Sequence, residues 1–198
     1  MDDEFLLRFL RTKKFKVEVA LRTIRNYYRH RRESPEIFQG LRPSKLRHVY
    51  QANGQMRLPH RDPDGRPIFV LRIGCWKPCE YDYYQLRKAN MLCLEDICLD
   101  PAVQDCLPAR FKAVHVVYQP SVFNVFFSLA KPFLTTKNIN RIHIHGSDMA
   151  SLHQHLPPSI LPEEYGGVNG AFDNTKYCQS LYDREDSFVQ DMKYGYCP

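Results

Sequence analysis

Apolar positions recur at helical spacing through the first third of the chain, then switch to short β-branched runs separated by helices. Phe5, Leu6, Phe9 and Leu10 follow Asp2, Asp3 and Glu4, acids placed where a helix N-terminus favours them. Val17, Ala20, Leu21, Ile24 and Tyr28 share one side of a predicted helix over 17–32. It closes on Arg29-His30-Arg31-Arg32 and stops at Ser34-Pro35. Arg61-Asp-Pro-Asp-Gly-Arg-Pro67 is a turn, with Gly65 supplying a positive φ. Beyond it the pattern predicts a strand over 68–73 and a helix over 82–99, whose inner stripe is Tyr83, Leu86, Ala89 or Asn90, Leu94 and Ile97. A strand over 112–118, an apolar helix over 121–134 and a strand over 141–145 follow. Strands alternating with helices predict a parallel α/β sheet.

Two stretches stand out against this rhythm. From Arg141-Ile-His-Ile-His-Gly146 to Leu161-Pro-Glu-Glu-Tyr-Gly-Gly167, Pro and Gly crowd the places where the backbone must turn. Between Leu99 and Lys112 the residues Asp100 to Phe111 are long enough for an αβ loop but read like two loop ends fused together.

Composition changes the picture in one respect. At 198 residues with 43% apolar and 25% charged side chains, the chain suits one domain with a small helical appendage. No apolar run approaches the length of a membrane span, and the start is acidic where a secretory signal is basic. Seven cysteines, an odd number without paired zinc-type spacing, fit buried free thiols in a cytoplasmic protein. The charge is uneven. Residues 1–50 hold 13 Lys and Arg against 6 Asp and Glu, a net +7, while the whole chain carries +6. A basic N-terminal third points to an anionic partner, either nucleic acid or acidic lipid, and no nucleic-acid motif is present; for most of these charges a solvated helix face is explanation enough.

Candidate chemistry is sparse. His143 and His145, two apart on a strand, share a face and are able to reach one metal, with Asp148 close behind. No further strand supplies a ligand, and His153 and His155 diverge on a helix, so packing or capping roles are expected. His115, inside an apolar strand, reads as a satisfied core histidine. The chain has no phosphate-cradling glycine loop, and Gly-x-Ser-x-Gly is absent. An enzyme reading lacks nucleophile, base and cofactor cradle; no catalytic residue, metal or cofactor is expected. What remains is apolar volume. The 121–134 segment is hydrophobic nearly all round, while Lys131, Lys137 and Arg141 supply a cationic margin. Phe beside Lys and Arg suits an acyl boundary beneath anionic headgroups.

The ordered motifs Phe5-Leu-Leu-Arg-Phe-Leu-Arg-Thr-Lys-Lys-Phe15, Arg61–Pro67, Ala113-Val-His-Val-Val-Tyr-Gln-Pro120, Lys131-Pro-Phe-Leu134 and Arg141–Gly146 with Leu161–Gly167 together resemble the CRAL-TRIO lipid-binding family, nearest its tocopherol-carrier and retinaldehyde-binding branches. The likeness covers residues 2 to about 190. It implies an α/β fold: a small helical N-terminal subdomain (1–48, truncated), a CRAL-TRIO domain with a mixed or parallel sheet flanked by helices (49–190), and a tail (191–198). It implies a monomeric, non-enzymatic carrier of a hydrophobic lipid such as a tocopherol or retinoid. Such a carrier is cytoplasmic and associates peripherally with endosomal or other anionic membranes. The span from Tyr118 to Arg141 matches the family's mobile lid.

Pocket lining is expected from Ile68, Val70, Val114, Val116, Phe123, Phe126, Phe127, Leu129, Phe133 and Ile144. By resemblance, Arg110, Lys112, Lys137 and Arg141 match residues that engage phosphoinositide headgroups, and Arg11 and Lys13 match a basic stretch. The chain departs from the family where one central βα unit is missing between the segments 94–104 and 105–111; residues before Met1 also look missing, as in a splice isoform or incomplete gene. Losing a central strand exposes ladder edges and removes a pocket wall. The alternative is a peripheral phosphoinositide-binding module without cargo, or a non-functional isoform. A His/Asp metalloenzyme stands third.

Overall fold

Helical spacing of apolar residues builds the first elements, α1 (Asp3–Thr12) and α2 (Val17–Glu33), of a computed structural model that describes residues 3–77, 79–99 and 111–191. Two compact units emerge: Met1–Ala109 with Phe172–Pro198, and Arg110–Ala171. The fold is mixed α/β, as the sequence predicts. The expected odd join falls, apart from Phe111, outside the described residues.

In the first unit α1 lies against α2. Phe9 is buried and meets the edge of Tyr27 with ring centroids 5.7 Å apart. Of the predicted stripe on α2, Ala20 and Tyr28 are buried while Val17 and Leu21 stay exposed. A short α3 (Pro35–Phe38) buries Ile37 and Phe38, and α4 (Arg47–Gln51) buries Val49 and Tyr50. Strand β1 (Gln55–Arg61) pairs antiparallel with β2 (Pro67–Leu71), Met56 opposite Val70 and Arg57 opposite Phe69. The predicted turn is their connection: Asp62 Oδ1 accepts from the amides of Asp64 (3.0 Å) and Arg66 (2.7 Å), and Gly65 has φ +78°.

Helix α5 (Tyr83–Leu99) turns inward a face rotated from the one hydrophobicity selects. Ala89 and Ile97 are buried as expected, but Leu92, Cys93 and Asp96 join them, whereas Tyr83 is exposed. The reason is Asp96. A carboxylate at 1% exposure is tolerated because Arg184 pairs with it and Arg57 Nε lies 3.7 Å away. That charge hides the true stripe from a reading of apolar residues alone.

The chain returns to this unit through Asn174, whose Nδ2 donates to the Tyr50 carbonyl (2.8 Å) and the Gln55 carbonyl (3.3 Å). Asn53 answers by donating to the Phe172 carbonyl (2.7 Å). Helices α9 (Thr175–Asp183) and α10 (Glu185–Asp191) then add Tyr177, Cys178, Leu181 and Phe188 to the core.

The second unit is a strand–helix–strand crossover. Strand β3 (Val114–Val117) leads to α6 (Ser121–Ala130), which tightens to a 3₁₀ turn at Lys131–Phe133 because Pro132 has no amide to continue it. Helix α7 (Thr136–Ile139), capped by the Thr135 hydroxyl, delivers the chain to β4 (Ile142–Gly146). Strands β3 and β4 pair in parallel with Val114 opposite Ile142, His115 opposite His143 and Val116 opposite Ile144. Gly146 (φ +63°) makes the turn, and Asp148 caps α8 (Met149–His153) by accepting from the Ser151 amide at 3.1 Å.

Two 3₁₀ turns, Pro158–Ile160 and Glu163–Tyr165, complete the Pro/Gly-rich block. Gly166 closes it in the left-handed region, and a Cβ at Gly167 would collide with the Leu161 carbonyl. The strands thus form two separate two-stranded ladders among the described residues.

Candidate functional site

Because side chains alternate along a strand, the β3–β4 ladder has two unlike faces. Its register places Val114, Val116, Ile142 and Ile144 on one and His115, His143 and His145 on the other. The imidazoles are stacked: His115 lies 5.0 Å from His143 and 5.3 Å from His145, ring centroid to centroid, with interplanar angles of 15° and 17°. His155, beyond α8, adds a fourth ring 4.5 Å from His143 and 5.1 Å from His115.

Hydrogen bonds thread the stack. His115 Nδ1 and His145 Nε2 are 3.0 Å apart, and His145 Nδ1 meets Ser151 Oγ at 2.8 Å. Burial and the three neighbouring imidazoles hold the pKa of His115 down to about 4. Burial, then His155, lowers His143; burial, His155 and His143 lower His145, with Asp148 opposing.

The expected divergence of His153 from His155 is present. His153 turns away to the Tyr165 carbonyl, 2.9 Å from its Nε2, while His155 joins the stack. The gathering of His115 and His155 with His143 and His145 is what the sequence reading missed. The signal was there: Val-His-Val at 114–116 and Ile-His-Ile at 142–144 must present their histidines together once the strands pair in that register. Among the described residues no group of three or more His, Cys, Asp or Glu is disposed to hold a metal ion. The four described free cysteines are mixed in setting: Cys93 and Cys178 are buried as expected, but Cys75 is half-buried and Cys79 exposed.

The residues expected to line a pocket are distributed over both units. Ile68 and Val70 stand half-buried in β2 of the first unit. In the second, Val116 and Ile144 pair on the aliphatic face of the ladder, with Val114 one step along β3. On α6, Phe123 and Phe127 stack with centroids 6.3 Å apart. Leu129, at 66% exposure, and Phe133, at 90%, project to solvent, as do Val122 and Val125. The side chain of Phe126 lies outside the described residues.

Of the expected headgroup cations, Lys112 and Lys137 are exposed and Arg141 is half-buried, its carbonyl accepting from the Val114 amide at 2.7 Å. Arg110 lies outside the described residues. Lys131 Nζ sits 6.0 Å from the Phe127 ring centroid, a cation–π distance. No helix among the described residues is long and apolar enough to cross a membrane.

The sequence is similar to known proteins. The CRAL/TRIO domain family matches residues 100–167, the stretch from before β3 to the Gly166–Gly167 turn. Alpha-tocopherol transfer protein-like of Homo sapiens, and likewise that of Pongo abelii, is 38% identical over 226 residues, taking in 97% of this chain and 66% of the relative. Clavesin-2 of Homo sapiens is 29% identical over 230 residues, 98% of this chain and 70% of that protein. The chain thus spans 66% of the first of these relatives. The matched stretch of 226 residues exceeds the 198 of this chain, so the relative carries residues with no counterpart here. By its domain match and its relatives, this chain belongs to the CRAL/TRIO family.

Proposed function

We propose that this chain is a monomeric, non-enzymatic carrier that binds a hydrophobic lipid and passes it between membranes, docking on anionic, phosphoinositide-containing surfaces. The observation that carries the reading is α6: an apolar helix whose Val122, Val125 and Leu129, continued by Phe133, face water beside Lys131 and Lys137. Exposed apolar surface of this kind marks contact with a membrane, ligand or partner. Each large aliphatic or aromatic side chain withdrawn from water contributes about 1.5–3 kcal/mol, and each cation near an anionic surface about 1 kcal/mol.

The relatives' name, alpha-tocopherol transfer protein-like, supports a tocopherol-type cargo, with a retinoid as the other candidate. Val114, Val116, Phe123, Phe126, Phe127, Leu129, Phe133 and Ile144 of the second unit are the proposed contacts for it. Lys112, Lys137 and Arg141, with Arg110, are the proposed headgroup cations.

Native mass spectrometry of the chain after incubation with a lipid extract tests the cargo. A bound lipid mass is expected, and a folded chain empty of every lipid overturns the reading. Sedimentation with phosphatidylcholine vesicles containing phosphatidylinositol 4,5-bisphosphate tests the docking. Binding should fall at least about threefold in the Lys137→Ala, Arg141→Ala double variant. Vesicle binding without lipid extraction would favour the cargo-less headgroup-binding module instead.

A further inference from the structure

The imidazole face of the β3–β4 ladder has a property that neither cargo nor headgroup recognition requires. Its four rings come from three segments of one unit: His115 on β3, His143 and His145 on β4, and His155 on the segment after α8. The hydrogen-bonded chain His115–His145–Ser151 is closed when the rings are neutral, since each imidazole then offers one N–H and one lone pair. One proton is tolerated. With His145 charged, its two N–H groups still find the lone pair of His115 and the oxygen of Ser151. A second proton on His115 is not, because two N–H donors then face each other across 3.0 Å with no acceptor between them. The stacked geometry makes the same demand, since near-parallel rings with centroids about 5 Å apart repel when both are charged.

We propose that this stack is a proton-operated latch on the β3–β4 ladder: closed while its rings share no more than one proton, and forced open when a second proton enters. Opening separates β3 from β4 at the His115–His145 contact and frees the segment of His155 from the sheet. The charged and titratable groups around the stack leave this balance in place. Lys112 and Arg141 stand just before β3 and β4, and their like charge disfavours further protons. Asp148, at the N-terminus of α8, acts in the opposite sense on His145. His153 of the same helix is engaged by the Tyr165 carbonyl, and Glu163 and Glu164 lie in the 3₁₀ turn beyond. Burial of the rings keeps protons out at neutral pH, in line with the downward displacement of His115, His143 and His145. The latch is therefore shut at neutral pH and yields on acidification.

The test is hydrogen–deuterium exchange of the full chain, followed at residues 114–117 and 142–146 and corrected for the intrinsic pH dependence of exchange. Opening should increase about tenfold or more between about pH 7.5 and about pH 5 in the native chain. It should increase less than about threefold in the H115Q/H145Q variant, whose amides keep hydrogen-bonding capacity without taking a proton. H60Q, at an exposed histidine of the first unit, should behave as the native chain. Equal acceleration in the native chain and H115Q/H145Q, or none in either, overturns the proposal. Imidazole NMR titration of the native chain decides independently of any variant's folding. At least three of the eight rings should remain neutral below about pH 6, and eight rings all titrating near 6.5 would overturn the latch.

Discussion

The two faces of the β3–β4 ladder are separated by one residue of register and by almost everything else. On one, Val114, Val116, Ile142 and Ile144 offer only hydrocarbon; on the other, His115, His143 and His145 gather with His155 into a hydrogen-bonded, titratable stack. Aliphatic burial is indifferent to pH, whereas every proton added to the stack works against its geometry. A four-residue strand therefore carries a lipid-compatible wall and a pH-responsive one at once, because the pleat sends neighbours to opposite sides.

The contrast can be broken first by disturbing the Pro/Gly-rich turns that follow the ladder in the same unit. Gly167→Ala drives a methyl into the Leu161 carbonyl, and should cost about 3 kcal/mol or more, read as a fall in the urea midpoint. Its effect should be the same at every pH, because it titrates nothing. Ile144→Ala acts on the aliphatic face alone. For a half-buried side chain a loss of about 2 kcal/mol is expected, again without pH dependence, and a pH-dependent loss would mean the two faces are coupled.

Acidification acts on the other face. The unfolded chain protonates its histidines near pH 6.5, while folded His115, His143 and His145 resist until lower pH. The unfolded state thus binds more protons in the window between about 6.5 and about 4, and stability is complete above that window and lost as pH falls through it. Allowing for solvent screening of the half-buried His115, the loss attributable to it is on the order of 1 kcal/mol, measurable as a urea-midpoint shift that H115Q removes. The smallest change is Ser151→Ala. It deletes the 2.8 Å partner of His145 Nδ1 and should cost about 0.5–1 kcal/mol at neutral pH. A neutral result there would show that water replaces the hydroxyl.

Much of the fold was legible because its signals are local. The Asp62–Gly65 turn, the Pro132 break in α6 and the Asp148 cap each follow from a residue whose backbone preference acts within a few positions. Strand β1 was missed for a local reason too: Met56 and Leu58 alternate with Arg57, and then Pro59, His60 and Arg61 erase the apolar pattern. The stripe on α5 was misread around Asp96, whose burial depends on Arg184, far away along the chain. Nothing near Asn174 announces that it will bond the carbonyls of Tyr50 and Gln55. Half of the imidazole stack, His143 and His145, was placed on a shared face by spacing alone, but its other half waited on the partner strand and on the path of the chain past α8.

By itself the sequence determined the alternation of elements, the turns that join them, the apolar character of α6 with its cationic neighbours, and family membership through motifs in order. Those are properties of spacing and backbone preference, which are written into short stretches of chain. Only the tertiary structure decided which histidines meet, that Asp96 is buried with arginine partners, and that α9 packs with the first unit. Each of these depends on residues distant in sequence being brought within a few ångströms, and no local pattern encodes that distance.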